Sequence, residues 1–229
     1  MLTFVAMPIY DFHTHTYLSD GVLSPMELIR RAYDRGYRAI AITDHVGLAD
    51  QGRVVPVLVE ECANAMSRWD IIAIAGVEIT HLPASLIPEA AQSAKALGAQ
   101  LVVVHGETIA EPVEPGTNAA AVGSSHVDVL AHPGLVTADD ATTAAQRGVY
   151  LELSARRGHS LANGHVVRVG QRANANLILD SDTHEPEDLL TEQMARQIAT
   201  GAGLQEEDLD TLLDSNPRRL LEKLGFSLR

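Results

Sequence analysis

Residues 9–16 read Ile9-Tyr10-Asp11-Phe12-His13-Thr14-His15-Thr16. A short strand-like run passes directly into a His-x-His pair. Side chains two apart on an extended chain point to the same face, so His13 and His15 are placed to grip one ion together. The same event recurs down the chain. The run Ala39-Ile40-Ala41-Ile42-Thr43 passes into Asp44-His45, and Ile71-Ile72-Ala73-Ile74 leads to Gly76-Val77-Glu78. Leu101-Val102-Val103-Val104 is followed by His105, and Val127-Asp128-Val129-Leu130 by Ala131-His132. Val149-Tyr150-Leu151-Glu152-Leu153 reads as a sixth strand, and Ala175-Asn176-Leu177-Ile178-Leu179 as a seventh that leads into Asp180-Ser181-Asp182-Thr183-His184. Asp182 and His184 repeat the two-residue spacing. Six of the seven predicted strands therefore run out into a histidine or carboxylate.

Several of these runs are continuously apolar, as buried parallel strands tend to be. Amphipathic stretches separate them. Ser24-Pro25-Met26-Glu27 opens one helix, with Ser24 as N-cap, Pro25 as first helical residue and Glu27 as the capping-box acid, and Gly36 closes it. Residues 53–68, 84–97, 138–147 and 160–173 read as further helices, followed by 186–200 and 206–223, with Asn216-Pro217 starting a last short one. Alternating strand and helix is an α/β pattern. It fits both a barrel and an open sheet. No Gly-rich phosphate loop follows the first strand, which removes support for a nucleotide-binding open sheet. Functional side chains gathered at the C-terminal strand ends are what a barrel places on its active face.

Composition narrows the chemistry. The 229 residues are 46% hydrophobic and 21% charged, as in an ordinary globular protein. Seventeen basic against thirty acidic residues give a formal charge of −13, which disfavours a long nucleic-acid interface. Only Cys62 could supply a thiolate, and it falls inside a predicted helix as a small buried residue. The ligand set is thus imidazole plus carboxylate, suited to Zn²⁺, Mn²⁺ or Fe²⁺. A cytoplasmic location, without disulfide or membrane segment, fits this usage. Met1 to Met7 is too short and lacks the basic start of a secretion signal, and Met7 could equally be the start of translation.

Some residues have two readings. His81, His126, His159 and His165 are loop or helix histidines unless the fold brings them to the site. The turn Ser154-Ala155-Arg156-Arg157-Gly158-His159-Ser160 is either a solvated loop or an anion clamp, with Arg157 or Arg156 on a phosphate oxygen. Glu107 is either a partner of a ligand or a cap.

Taken together, the motifs resemble the PHP (polymerase and histidinol phosphatase) superfamily. They are His13-Thr14-His15-Thr16 with Ser19-Asp20-Gly21, Thr43-Asp44-His45, Gly76-Val77-Glu78, Val104-His105-Gly106, Ala131-His132-Pro133-Gly134 and Asp182-Thr183-His184. The resemblance spans about residues 10–190 and is greatest to stand-alone histidinol-phosphatase-like proteins. It implies a distorted (β/α)7 TIM-like barrel, with 1–229 as a single domain and 191–229 as C-terminal helices packed on it. It implies three divalent metal ions: one on His13, His15, Glu78 and Asp182; one on bridging Glu78 with His105 and His132; and one on Asp20, His45 and His184. Asp20 stands where many relatives carry histidine. The implied activity is a metal-dependent phosphoesterase hydrolysing a small phosphate monoester, histidinol phosphate being the named candidate, by attack of a metal-activated hydroxide. Glu78, Arg157 and His159 are the residues assigned to catalysis. The expected partner is a small phosphorylated substrate, bound by a monomer or small homo-oligomer. Alternatives are a nucleotide phosphatase or short-oligonucleotide phosphodiesterase on the same site, a non-catalytic binding subunit, and an amidohydrolase-type C–N hydrolase. A binding subunit would expect a basic surface and eroded ligands. The amidohydrolase site would expect a lysine at a strand end, whereas Lys95 and Lys223 lie in predicted helices.

Overall fold

The computed structural model describes residues 7–228. The stretch Met1 to Ala6, read above for a leader, lies outside the described residues. The strands are β1 (Ile9–Asp11), β2 (Tyr37–Ile42), the two-residue β3 (His45–Val46), β4 (Ile72–Ile79), β5 (Leu101–His105), β6 (Val129–Ala131), β7 (Tyr150–Ser154) and β8 (Leu177–Asp180). Every pairing among them is parallel, in the order β1-β2-β4-β5-β6-β7-β8, with β3 lying beside the end of β4. The ring closes beyond the regular strands. Thr14 and Thr183 form a parallel bridge, flanked by His15 N to Thr183 O at 2.8 Å and Asp182 N to His13 O at 2.9 Å. The result is a nearly closed seven-stranded barrel, as the resemblance implied, and one of the two architectures that the alternating pattern allowed.

Helices α1 (Pro25–Asp34), α2 (Gln51–Met66), α3 (Ile87–Leu97), α4 (Thr117–Gly123), α5 (Ala138–Arg147) and α6 (Asn163–Ala173) connect the strands. The outer core lies between strands and helices, where Leu28, Ile29, Ile40, Val54, Leu58, Val102 and Leu151 are buried. Ser24 accepts from the Glu27 N–H, as its N-cap role requires, and α1 begins at Pro25. Glu27 does not close a capping box; its carboxylate takes two hydrogen bonds from Arg31 one turn on. Gly98 and Gly148 end α3 and α5 in left-handed conformations. The expectation missed α4, which is seven residues of mostly small side chains with too little periodicity to announce itself. Glu107 proves to be its cap, accepting from Gly116 N and Asn118 N.

The C-terminal part also differs from two plain helices. A 3₁₀ turn at Pro186–Asp188 precedes α7 (Glu192–Gly201), and α8 (Glu206–Asp210) passes through a π-helical turn, Thr211–Ser215, into α9 (Asn216–Lys223). This last segment plugs the barrel floor. Leu220 and Leu221 join Tyr10, Ala39, Ile74, Leu101, Val129, Tyr150 and Ile178 in a second, inner core. Asn216 donates to Leu177 O at the start of β8, and Tyr10 O–H donates to Asp214 in the π turn. With the floor sealed by apolar side chains, polar groups gather at the other end.

Candidate metal centre

At the C-terminal mouth, His13, His15, Glu78, His105, His132, Asp182 and His184 are all buried, while Asp20 and His45 are partly open. They reach the mouth from the ends of several strands, and Asp20 from the loop after β1. His13 and His15 follow β1, His45 lies in β3 paired in register with Glu78 of β4, His105 ends β5, His132 follows β6, and Asp182 and His184 follow β8. All nine residues expected as ligands are brought together. Several of their inward atoms stand too far apart for good hydrogen bonds, although His45 Nδ1 comes within 2.7 Å of Glu78 Oε2 and His184 Nε2 within 3.1 Å of Asp20. His13 Nε2 to Glu78 Oε2 is 3.4 Å, His132 Nε2 to Glu78 Oε1 is 3.5 Å and His15 Nε2 to Asp182 Oδ1 is 3.2 Å. Two atoms bonded to one ion at about 2.1 Å in a tetrahedral arrangement sit about 3.4 Å apart. His13 Nε2, both ring nitrogens of His15 and both Glu78 oxygens are buried without a hydrogen-bond partner. Buried polar atoms rarely go unpaired, so a donor set of this kind fits divalent cations. His15, Asp20, His45 and His184 offer ligand atoms within 4.8 Å of one another, as do His13, His15 and Glu78.

The outward nitrogens are anchored by the protein. His13 Nδ1 donates to Glu152 at 2.6 Å, and His45 Nδ1 pairs with Thr80 Oγ1 at 2.6 Å, with Glu78 Oε2 2.7 Å away. Asp44 is buried and accepts from Thr16 N, Thr16 Oγ1, Ser19 N and Ser19 Oγ. It thereby organises the loop that carries Asp20. His132 and Asp182 have φ of +26° and +55°, uncommon for residues with a Cβ. Such strain persists where surrounding structure holds it, and it often marks functional sites. Gly134, two residues after His132, has φ +60°, and a Cβ there would lie 1.9 Å from Glu107 O. No other residue fits that turn without moving the backbone.

The cluster's charged groups set one another's titration. Burial alone would depress His45, but Glu78 and Asp20 beside it lift it to about 10. Burial likewise opposes a charged His13, yet Glu152, Glu78 and Asp182 hold it well above its usual range. Burial would raise Glu78, but His45 and His13 drive it well down. His105 goes the other way, pushed down to about 4 by burial.

Three residues bearing on the site were missed in the sequence. Glu152, Asp11 and Asp180 are fully buried beneath it. Asp11 accepts from Ser181 N and His13 N, and Asp180 accepts from Phe12 N. Their signal was present: each is a carboxylate inside an apolar parallel strand, where an unpaired charge is not tolerated. Above the cluster lies a cavity of about 400 Å³, lined by Asp20, His45, His105, Glu111, Arg156 and His159 among others. Of the two arginines considered for a clamp, Arg156 lines this cavity, with Nη1 2.8 Å from His184 Nδ1. Arg157 is exposed and absent from that lining. His159 is buried and inside it; His81 is half exposed at its edge, 3.7 Å from Glu111. His165 turns away to Val136 O, and His126 sits in a turn against Ser124.

Comparison with known proteins agrees with this architecture. The family model described as PHP domain matches residues 11–104. An uncharacterized protein of Methanocaldococcus jannaschii is 42% identical over 216 residues, covering 94% of this chain and 99% of its own. The chain belongs to the PHP family. The same barrel recurs in solved structures. Histidinol phosphate phosphatase of Lactococcus lactis, solved with zinc, L-histidinol and phosphate, superposes with a TM-score of 0.59 at 14% identity, covering 86% of this chain and 94% of that one. One structure from work on the metal-dependent tyrosine phosphatases YwqE of Bacillus subtilis and CpsB of Streptococcus pneumoniae gives a TM-score of 0.58 at 15% identity, over 93% of this chain and 94% of that one. A 5'-3' exoribonuclease of Haemophilus influenzae is 41% identical over 71 residues, which is 31% of this PHP chain and 23% of that enzyme.

Proposed function

We propose that this PHP protein hydrolyses a small phosphate monoester, with histidinol phosphate as the first substrate to test. The observation that carries the reading is the convergence of partnerless buried imidazole nitrogens and carboxylate oxygens at the barrel mouth. His13, His15, Glu78 and Asp182 would hold one ion, Glu78 with His105 and His132 a second, and Asp20, His45 and His184 a third. Divalent ions held there would neutralise phosphoryl charge and bring the pKa of a coordinated water from about 15.7 towards about 7.

The chain's own groups define the rest. Arg156 reaches the cavity from the end of β7, and its planar fork suits two phosphoryl oxygens. Glu152 fixes the orientation of His13, and Thr80 that of His45. Glu78 reaches both His13 and His132, which places it to link two ligand sets. A cavity of about 400 Å³ suits a metabolite. Among the described residues, no Phe, Tyr or Trp lines it, so a base would find only imidazole and guanidinium planes to stack on.

The local identity to a 5'-3' exoribonuclease supports a second reading, action on a nucleotide or short oligonucleotide at the same centre. Phosphate release from histidinol phosphate, a 3′,5′-bisphosphonucleotide and a short RNA separates the two. Chelator-stripped protein reloaded with Mn²⁺ is expected to release phosphate from histidinol phosphate fastest, and His105→Ala to abolish it. Metal-bearing protein that leaves histidinol phosphate intact but cleaves RNA would decide for the second reading.

A further inference from the structure

Two histidines outside the nine proposed ligands line the cavity, and they differ in kind. His81 is 48% exposed, whereas His159 is 6% exposed. His159 follows the pattern of the ligands around it. Its Nδ1 lies 2.8 Å from Thr108 Oγ1, a pairing that leaves the Nε2 lone pair facing inward when Nδ1 carries the proton. Its ring stacks on His132 at 4.1 Å and meets His105 edge-on at 5.9 Å. His105, His132 and His159 each present a nitrogen within 4.8 Å of the other two. His159 Nε2 stands 3.7 Å from Glu111 Oε1 and 3.9 Å from Asp182 Oδ2, too far for hydrogen bonds and near the spacing of atoms sharing an ion. Thr108 is itself buried, and the backbone around it is fixed: Gly134 packs on Thr108, and Gly158 on Ala110.

We propose that His159 is a further metal ligand, which with His105 and His132 encloses one ion in three imidazoles. This rests on the metal-dependent reading above. Together with Glu78, this gives that position three imidazoles and one carboxylate, a nitrogen-rich donor set. Such a donor set favours Zn²⁺ or Fe²⁺ over Mg²⁺. Thr108 is then a positioning residue for His159, as Glu152 is for His13.

The test uses the full chain, stripped with chelator and titrated with Co²⁺, read by visible absorption and by metal content after dialysis. In His159→Ala, one ion is expected to bind about 10–100-fold more weakly, with a changed Co²⁺ spectrum. Thr108→Val, which keeps the shape and removes the hydroxyl, should weaken the same ion by less. His159→Gln serves as a less disruptive variant should the alanine protein misfold. Wild-type affinity and spectrum in a folded His159 variant would overturn the proposal while leaving the metal-dependent reading standing. A wild-type chain that takes up no ion would remove both.

Discussion

Glu152 Oε2 accepts a 2.6 Å hydrogen bond from Nδ1 of His13, and neither side chain reaches solvent. The contact spans the barrel, from the end of β1 to the middle of β7. It fixes the tautomer of His13, so Nε2 faces Glu78 and Asp182 with its lone pair. Carboxylates in this relation raise ligand basicity, and their loss costs about 10–100-fold in metal affinity. Glu152→Ala should show that loss in a competition titration against a chelating dye. Glu152→Gln, which keeps an acceptor, should lose less. Equal affinity in the alanine variant and wild type would show that His13 is oriented without it.

Removing metal should soften the whole protein. Glu78, Asp182 and Glu152 are buried carboxylates, and ions bound only by the folded state stabilise it by mass action, about 2.7 kcal/mol at a hundred times Kd for one site. The melting temperature of stripped protein is expected to rise through a Mn²⁺ or Zn²⁺ titration. A flat profile would count against ion binding by the fold.

Protons and metal should compete. His45 titrates near 10 in the metal-free fold, against about 6.5 for an ordinary histidine. Its contribution to stability is therefore complete below about pH 6.5 and disappears as pH rises through about 10. Chemical denaturation of stripped protein should show stability falling across that window, and less so in His45→Gln. An ion on His45 needs the imidazole neutral, so metal affinity should climb over the same range. Calorimetry in buffers of different ionisation enthalpy would detect the released proton; buffer-independent heats would refute the competition.

Arg156 and Arg157 should differ. Arg156→Ala is expected to raise KM for a phosphomonoester about tenfold or more, the range of a lost charge-assisted contact. Arg157→Ala should stay within about twofold, because its side chain lies outside the cavity lining. Steady-state kinetics on both variants checks this, and the reverse ranking would move the clamp to Arg157.

Leu220 is fully buried in the inner core, far from the mouth. Leu220→Ala should cost about 2–5 kcal/mol of stability. Metal-loaded activity at low temperature should be nearly unchanged, and a large fall in kcat without a fall in melting temperature would contradict that separation.

Much of the fold was legible because parallel strands advertise themselves as short apolar runs, and six of seven stop at a residue with chemistry. The barrel follows from where His13, His45, His105 and His132 fall, and the resemblance in the same motifs named the ligand set. Legibility failed where the decisive relation is three-dimensional. Glu152 reads as one polar position in a strand, and nothing near it in sequence points to His13, 139 residues away. Arg156 and Arg157 are neighbours in an irregular turn, and only the first lines the cavity above the cluster, so no periodicity separates them. Thr108 and His159 meet only because two loops pack together. The seven residues of α4 and the π turn before α9 are too short, or too irregular, for a helical repeat to register.

The plug formed by α9 has a consequence for the order of assembly. All seven barrel strands are synthesised before Leu220 and Leu221, so until that last segment is in place the hollow they enclose is open at its base. Its apolar lining, Tyr10 and Ile178 among it, waits for the final segment. A nascent chain stalled before Asn216 would hold every metal-binding histidine yet expose a greasy hole, the kind of surface that chaperones recognise and that neighbouring chains aggregate through.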